Sequence, residues 1–161
     1  TVCLMPFIHL TTFIAAPAER VFDLSRSVAL HKRSMDKYGE QAVSGKTSGL
    51  MELGDTVTWK AKHVYKERVM TVKITALQSP YSFTDEQVRG DFKSMKHEHF
   101  FKLVENGTIM IDQFTFEISN PFGRWINAFY LTKYMTSLLE ERNAHLKITA
   151  EGSQWQPLLL R

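Results

Sequence analysis

The sequence of 161 residues contains a single cysteine, Cys3, so the chain can form neither an internal disulfide nor a cysteine-based zinc site. It also lacks any apolar run near the ~18 residues that a membrane-spanning helix needs. Residues 1–10 have neither the charged region nor the long apolar region of a secretory signal peptide. Because the sequence does not begin with methionine, a trimmed leader is an open alternative. We expect a cytoplasmic protein without integral membrane association.

Charge of one sign is not concentrated anywhere along the chain. Lys and Arg number 20 and Asp and Glu number 17, which gives a net charge of +3, and the two signs are interspersed. A nucleic-acid-binding domain usually carries a basic stripe, so we expect no nucleic-acid partner. No repeat and no Pro-, Gly- or Ser-rich linker divides the chain. We therefore expect one domain over residues 1–161, with residues 152–161 as a loosely ordered tail.

Two short helices and a series of strands are predicted from the period of the apolar residues. Alternation predicts a strand over residues 5–15, and helices are expected from Pro17, which suits a first helical position, and from Ser27. Residues 39–54 are polar, contain several glycines and show neither period. Alternation then returns in five runs, which cover residues 56–65, 70–76, 81–88, 94–104 and 108–118. Asn106-Gly107, between the last two runs, is a hairpin signal.

One long helix is predicted after these strands. Asn120 and Pro121 are suited to begin a helix, and apolar residues recur at helical spacing from there to about Ala150. Strands that follow one another without intervening helices form an antiparallel meander. The order of elements therefore predicts an α+β fold, in which a curved antiparallel sheet wraps around one long C-terminal helix.

Four stretches of the sequence carry a family resemblance: AAPAERVFDL from Ala15, GDTVTWKAKH from Gly54, FTDEQVRGDFK from Phe83 and KHEHFF from Lys96. Together they resemble the START-like superfamily, also called SRPBCC. That superfamily includes birch-pollen-allergen-like proteins, lipid-transfer domains and aromatic polyketide cyclases. The resemblance covers about residues 10–150, and its pattern is that of a bacterial ligand-binding subgroup that is also labelled polyketide cyclase/dehydrase-like.

This resemblance implies both a fold and a function. The fold is the helix-grip fold, with a seven-stranded antiparallel sheet and two short helices between strands 1 and 2. The function is binding of a hydrophobic small molecule, either a lipid or an aromatic or polyketide-like compound, by a carrier or sensor. The ligand would lie in a cavity between the sheet and the C-terminal helix. The alternative is a cyclase- or dehydratase-type enzyme that uses a His/Asp pair on an aromatic or polyketide-like substrate. No cofactor is implied, and a protein partner is left open.

Six polar residues fall on strand faces that are otherwise apolar. Side chains alternate between the two faces of a strand. In residues 94–104 the more apolar face carries His97 and His99, and in residues 108–118 it carries Asp112. We expect these faces to point inward. The same test places three further polar residues inward, so that adjacent strands can present the whole set to a common cavity: His63, Asp85 and Gln87.

Several interpretations of this polar set stay open. A buried charge without a partner is costly, so Asp112 needs a donor, and an inward histidine is a natural one. The set can be a hydrogen-bonded layer that fixes strand register, or a group that orients an apolar ligand. It can also be an acid–base pair, in which His97 or His99 is the base and Asp112 orients its ring. In a metal site, the two histidines, about 7 Å apart by strand rise, would take Asp112 as a third ligand. Two-histidine spacing alone is a weak signal, so we expect no metal.

The apolar wall of such a cavity is predicted from inward aromatic and methionine residues. The predicted ligand-binding residues are therefore the six polar residues above together with Trp59, Phe83, Phe114, Trp125, Phe129 and Met135. Phe122 is expected with Trp125 at the cavity entrance. The sequence leaves open whether these residues close a core or surround a void. Two charged clusters are expected on solvent-exposed helix faces, namely His31, Lys32 and Arg33 in the second helix and Glu140, Glu141 and Arg142 in the long helix.

Overall fold

The computed structural model of the protein describes residues 5–118 and 124–159, and only the backbone of residues 124–127. Seven strands, four helices and a short 3-10 helix make up this part of the chain. In chain order they are β1 (Phe7–Ile14), α1 (Ala18–Ser25), α2 (Val28–Ser34), the 3-10 helix (Asp36–Tyr38), β2 (Gln41–Gly45), β3 (Thr56–His63), β4 (Lys66–Gln78), β5 (Ser82–Arg89), β6 (Phe92–Val104), β7 (Gly107–Ile118), α3 (Arg124–Glu151) and α4 (Gln156–Leu159).

All seven strands belong to one antiparallel sheet, in the order β1-β7-β6-β5-β4-β3-β2. The first strand therefore pairs with the last, and the remaining strands form a meander in chain order. The predicted hairpin is confirmed, because Val104 pairs with Gly107 across the turn at residues 105–106. With α1 and α2 between β1 and β2, and α3 after the sheet, the predicted α+β helix-grip architecture is also confirmed.

Strand β2 is the seventh strand of the predicted sheet, and it lies in residues 39–54, where the sequence shows neither period. Gln41–Gly45 pairs with β3 at the edge of the sheet, and its register shifts between Ala42 and Ser44. A bulge adds one residue to one strand of a pair, which interrupts the alternation of faces. Most of the strand is also exposed. A polar edge strand with a bulge therefore shows no period of two in its sequence.

The hairpin between β3 and β4 is tighter than the alternation predicts. β3 ends at His63, and Val64 and Tyr65 form the turn with φ angles of +49° and +63°. Left-handed backbone at two consecutive residues is typical of a tight hairpin turn, which normally carries Asn or Gly. Tyr65 is consequently 95% exposed rather than on the inward face with Trp59.

The C-terminal half of α3 is fastened to β1 and α1 by polar contacts. The backbone N–H of Ala15 donates to Oε1 of Glu151 at 2.8 Å, and Nζ of Lys147 donates to the carbonyl of Phe13 at 2.6 Å. Arg20 donates to the carbonyl of Ala150 at 3.0 Å. These contacts fix where the helix lies over the sheet.

The segment after α3 includes a short helix that lies against the core. Residues 156–159 form α4, and the side chains of Trp155, Leu158 and Leu159 pack against the core. The guanidinium of Arg20 lies 4.0 Å above the Trp155 ring. Trp155 thus supplies an apolar anchor that no period in the sequence indicates.

Some predictions fall outside the described residues. These are the helix start at Asn120 and Pro121, the entrance residue Phe122 and the side chain of Trp125. Among the helices that the structure describes, none is both long enough and apolar enough to cross a membrane.

Candidate functional site

A cavity of about 330 Å³ lies between the sheet and α3. Its wall comes from the inward faces of β3 to β7, from α2 and from residues 131–142 of α3. This volume is in the range of small-molecule sites, which are lined mainly by apolar side chains with a few polar groups. The apolar wall here consists largely of Val57, Trp59, Val72, Ile74, Phe83, Met95, Phe114, Leu131, Met135, Leu138 and Leu139.

Polar side chains interrupt this wall where β5 and β6 meet. Strand pairing places Asp85 directly opposite His97, and His99 directly opposite Asp112. The hydrogen bonds nevertheless run diagonally. Nε2 of His97 lies 2.8 Å from Oδ1 of Asp112, and Nε2 of His99 lies 2.9 Å from Oδ2 of Asp85. The centroids of the two imidazole rings are 3.8 Å apart. The predicted partnership between an inward carboxylate and an inward histidine is confirmed.

Asp112 is fully buried and lies behind the cavity wall rather than in it. Its Oδ1 accepts hydrogen bonds from His97 and from Nη2 of Arg142, both at 2.8 Å, and its Oδ2 accepts from Nδ2 of Asn143 at 2.7 Å. Burial raises the pKa of Asp112, but Arg142 and both histidines outweigh it and hold the pKa well below its usual range. Both oxygens of Asp112, which was predicted to contact a ligand, thus face protein donors.

His99 lies between two carboxylates. Its Nε2 faces Asp85, and its Nδ1 lies 3.1 Å from Oδ1 of Asp112, an ion-pair contact that is not aligned as a hydrogen bond. Burial lowers the pKa of His99, but the contacts with Asp112 and Asp85 outweigh burial and raise it. The imidazolium form, which carries a proton on each nitrogen, suits this position. Burial raises the pKa of Asp85, but the hydrogen bond with His99 and the nearby charges, that of Arg142 included, outweigh it and lower the pKa of that carboxyl.

His97 has the opposite protonation preference. Burial and then the charge of neighbouring His99 lower the pKa of His97 to about 4. The neutral ring donates from Nε2 to Asp112, which leaves Nδ1 without a proton. Nδ1 forms no hydrogen bond with any residue that the structure describes. His97 thus presents an acceptor, or a base, at the cavity wall.

Arg142 and Asn143 complete the polar cluster, and sequence reasoning missed both. Arg142 was expected on a solvent-exposed face, but its side chain is only 13% exposed and it lines the cavity. The spacing of Leu138, Arg142 and Leu146 carries the signal, since residues three to four apart share one helix face. Burial of a carboxylate also calls for a full positive charge nearby. With Asp85 and Asp112 negative and Arg142 and His99 positive, the charges of the cluster balance.

A second polar group lies on the β3 side of the cavity. The His31 ring stacks on Trp59 at 4.2 Å, and its Nε2 lies 3.0 Å from the carboxylate of buried Glu40. Nδ1 of His63 lies 2.8 Å from the hydroxyl of Tyr134 on α3. Burial lowers the pKa of His63. His31 lines the cavity, so the prediction of a solvent-exposed cluster holds for its neighbours Lys32 and Arg33 only.

The predicted ligand-binding residues divide into those that line the cavity and those that do not. The residues that line it are Trp59, His63, Phe83, Asp85, His97, His99, Phe114 and Met135. Gln87 instead donates to the carbonyl of Phe92 at 2.8 Å, which ties the β5–β6 turn. Phe129 is 77% exposed, because it lies about 200° around the helix from the cavity-lining Leu131. The side chain of Trp125 lies outside the described residues.

Comparison with known proteins shows similarity at the level of the fold. No protein-family model matches the chain, and no curated protein matches its sequence. Among solved structures, TTHA0849 from Thermus thermophilus is 18% identical with a TM-score of 0.70, over 88% of this chain and 97% of that one. A major latex-like protein from Panax ginseng is 15% identical with a TM-score of 0.60, over 88% and 97%. The di-domain ARO/CYC StfQ of the steffimycin biosynthetic pathway is 10% identical with a TM-score of 0.72, over 92% and 51%.

These similarities agree with the architecture of the sheet and α3. The chain has the helix-grip fold of START-like (SRPBCC) proteins, as the sequence resemblance implies. Because every one of these identities is low, the similarity concerns the fold, and the function has to be argued from the site.

Proposed function

We propose that the protein binds a hydrophobic small molecule, a lipid or an aromatic or polyketide-like compound, in the cavity between the sheet and α3, as a carrier or sensor. The observation that carries this proposal is a cavity of about 330 Å³ whose wall is mainly apolar and includes a compact polar cluster where β5 and β6 meet. Each 100 Å² of apolar ligand surface removed from water contributes about 2.5 kcal/mol.

The polar cluster supports a defined orientation of the bound molecule. Nδ1 of His97 is an acceptor without a partner among the described residues, so a ligand hydroxyl is the group that suits it. Asp112 and Asn143, behind the wall, hold His97 and Arg142 in place. A ligand with one polar end and an apolar body therefore fits the two parts of the wall.

The test is a pair of tryptophan substitutions on one helix. Met135→Trp adds volume inside the cavity, whereas Ile148→Trp adds it at a position of α3 that is 65% exposed. Thermal unfolding is followed with a panel of fatty acids, phospholipids, quinones and aromatic polyketides. We expect at least one class to raise the Tm of the wild type and of Ile148→Trp, but not that of Met135→Trp. A rise in Tm that Met135→Trp retains would count against binding in this cavity. So would the absence of a rise in the wild type with every class of compound.

A cyclase- or dehydratase-type activity is the second candidate, and the neutral His97 favours it. A base must be deprotonated to act, and a pKa of about 4 leaves His97 deprotonated at neutral pH. Asp112 would orient the ring, as in the sequence hypothesis, and His97 is better placed as base than His99, whose two nitrogens both face carboxylates. In a dehydration, Nδ1 of His97 would take the proton next to a ketone and then deliver it to the β-hydroxyl, so that the C–O bond breaks, a C=C bond forms and the oxygen leaves as water.

Turnover separates the two candidates. A β-hydroxy ketone of the aromatic polyketide class is incubated with the protein, and loss of water is followed by mass spectrometry. An enzyme should lose at least about 100-fold in rate on His97→Gln, which is the usual worth of a general base. A carrier should show no turnover in either form and only weaker binding in the variant.

A further inference from the structure

We propose that Asp85, His97 and His99 form a binding site for a divalent transition-metal ion in the wall of the cavity. This inference goes beyond ligand binding and does not depend on it. One donor atom from each of the three residues lies within 4.8 Å of the others. All three residues line the cavity, and both histidines are almost completely buried.

The three donors come from two paired strands, which fixes their spacing. Asp85 and His97 are directly opposite in the β5–β6 ladder, and His99 follows two residues later on the same face. Nε2 of His99 and Oδ2 of Asp85 are 2.9 Å apart. Adjacent ligands of an octahedral ion with bonds of about 2.1 Å are separated by about 3.0 Å, so one ion can bind both atoms with little movement.

Asp112 supports both imidazoles from behind. Nε2 of His97 and Nδ1 of His99 face the same oxygen of Asp112, at 2.8 and 3.1 Å. The nitrogens left for an ion are therefore Nδ1 of His97 and Nε2 of His99. Metal-binding histidines almost always donate their second ring N–H to a carboxylate, a backbone carbonyl or water, as His97 does to Asp112. The third ligand is thus Asp85, and Asp112 takes the supporting role instead of the ligand role that the sequence hypothesis gave it.

The surroundings of the site determine which ions it would take. Two imidazoles and one carboxylate suit Zn²⁺, Fe²⁺, Co²⁺ or Ni²⁺ rather than Ca²⁺ or Mg²⁺. An ion at Nε2 of His99 would displace the proton that faces Asp85 there, and the ion would then supply, together with Arg142, the positive charge that faces Asp85 and Asp112. Three protein ligands leave coordination positions open towards the cavity, where a ligand oxygen or water can bind.

Metal titration of the chelator-treated protein tests the site. Zn²⁺ binding is measured by calorimetry, and Co²⁺ is added separately because its visible spectrum reports nitrogen and oxygen coordination. We expect one equivalent of each ion to bind with a Kd of micromolar or tighter. Asp85→Asn and His97→Gln should each lose this equivalent, whereas His63→Gln, which changes another cavity histidine, should keep it. Asp112→Asn should weaken binding about 10- to 100-fold.

The outcomes are distinguishable from those of the proposed function because no organic ligand is added. Absence of an equivalent in the wild type at 0.1 mM free ion would overturn the metal site, even if a variant failed to fold. Binding that persists in both Asp85→Asn and His97→Gln would place the ion elsewhere and would overturn it equally. Neither result bears on whether an apolar compound occupies the cavity.

Discussion

The two halves of α3 meet the sheet in different ways. In the C-terminal half, Leu146 and Ala150 are almost completely buried, and the contacts of Lys147 and Glu151 with the end of β1 hold the helix close. In the N-terminal half, Leu131, Tyr134 and Met135 are only partly buried and line the cavity. One helix therefore closes the core at one end and leaves a void at the other.

Because of this difference, we expect the C-terminal half of α3 to contribute mainly to stability and the N-terminal half mainly to ligand binding. A closely packed region loses stability when volume is removed, because the cavity that forms is only partly refilled. A wall that already faces a void has fewer contacts to lose. Arg142 and Asn143 mark the boundary, where Asp112 ties the helix to β7. We therefore expect the effect of substitutions on the free energy of unfolding to decrease from this boundary, through the packed half, to the cavity mouth, where Val64 and Tyr65 form the β3–β4 turn.

The largest effect is expected at the boundary. Asp112→Asn removes the negative charge that faces partly buried Arg142 and buried His99. Loss of one partner from a buried ion pair typically costs about 3–5 kcal/mol, because the remaining charge is left without compensation. Denaturant unfolding at pH 7 measures this loss. Arg26→Gln serves as a control, since its partners Asp23 and Glu52 are partly exposed and a smaller loss is expected. A loss of under 1 kcal/mol for Asp112→Asn would contradict the role of the cluster.

The same substitution in the two halves of α3 should give unequal results. Leu146→Ala removes a side chain that is 3% exposed in the packed half, and a loss of about 3 kcal/mol in the free energy of unfolding is expected. Leu131→Ala removes one that faces the cavity, and a loss near 1 kcal/mol is expected, with weaker ligand binding. Equal losses measured by denaturant unfolding would mean that the N-terminal half is packed as closely as the other.

The pH dependence of stability should show the opposite preferences of the two histidines. The pKa of His97 is about 4 in the folded protein, below the ordinary value of 6.5, so the unfolded chain binds a proton that the folded one does not. Stability should therefore fall as the pH drops from about 6.5 towards 4, by about 2 kcal/mol at pH 5. His99 has a raised pKa, so its contribution is complete below pH 6.5 and is lost as the pH rises through its folded pKa.

His97→Gln, whose amide can still donate to Asp112, separates these two contributions. In chelator-treated protein, the variant should lose the decline between pH 6.5 and 5 but keep the decline above pH 6.5. Denaturant midpoints measured across this range report both slopes. If the variant still lost stability between pH 6.5 and 5, the proton taken up on unfolding in this range would belong to a group other than His97.

The smallest effect, and one of opposite sign, is expected at the cavity mouth. Val64 lines the cavity and, with Tyr65, adopts the left-handed backbone that disfavours side chains of their kind. Replacing the pair by Asn and Gly supplies residues suited to this turn and should stabilise the protein by about 1 kcal/mol. Lys66→Asn, just after the turn, is the control and should change little. Destabilisation by Val64→Asn/Tyr65→Gly, measured by thermal unfolding, would mean that the exposed side chains contribute to the fold.

The inward faces of the strands could be predicted from the sequence because alternation is a local property. His97 and Asp112 are buried as predicted, whereas Leu103, which falls on the same alternating face as His97 but lies at the end of β6 beside the turn, is 69% exposed. Alternation assigns a side chain to a face of the sheet, but it does not say whether another element covers that part of the face.

The pairing within the polar cluster could not be predicted in the same way. The diagonal bonds from His97 to Asp112 and from His99 to Asp85 depend on the relative position of three strands, which no single strand encodes. Arg142 reaches Asp112 because of where α3 lies over the sheet. The cavity itself depends on the distance between helix and sheet, since the same inward residues can fill a core or surround a void.

Native mass spectrometry of the freshly purified protein tests the central claim most directly, with the same sample under denaturing conditions as the control. We expect a discrete additional mass, in the range of a lipid or aromatic compound, that is lost on denaturation and absent from Met135→Trp. A wild-type protein with only its polypeptide mass, and with no stabilisation by the panel of fatty acids, phospholipids, quinones and aromatic polyketides, would contradict it.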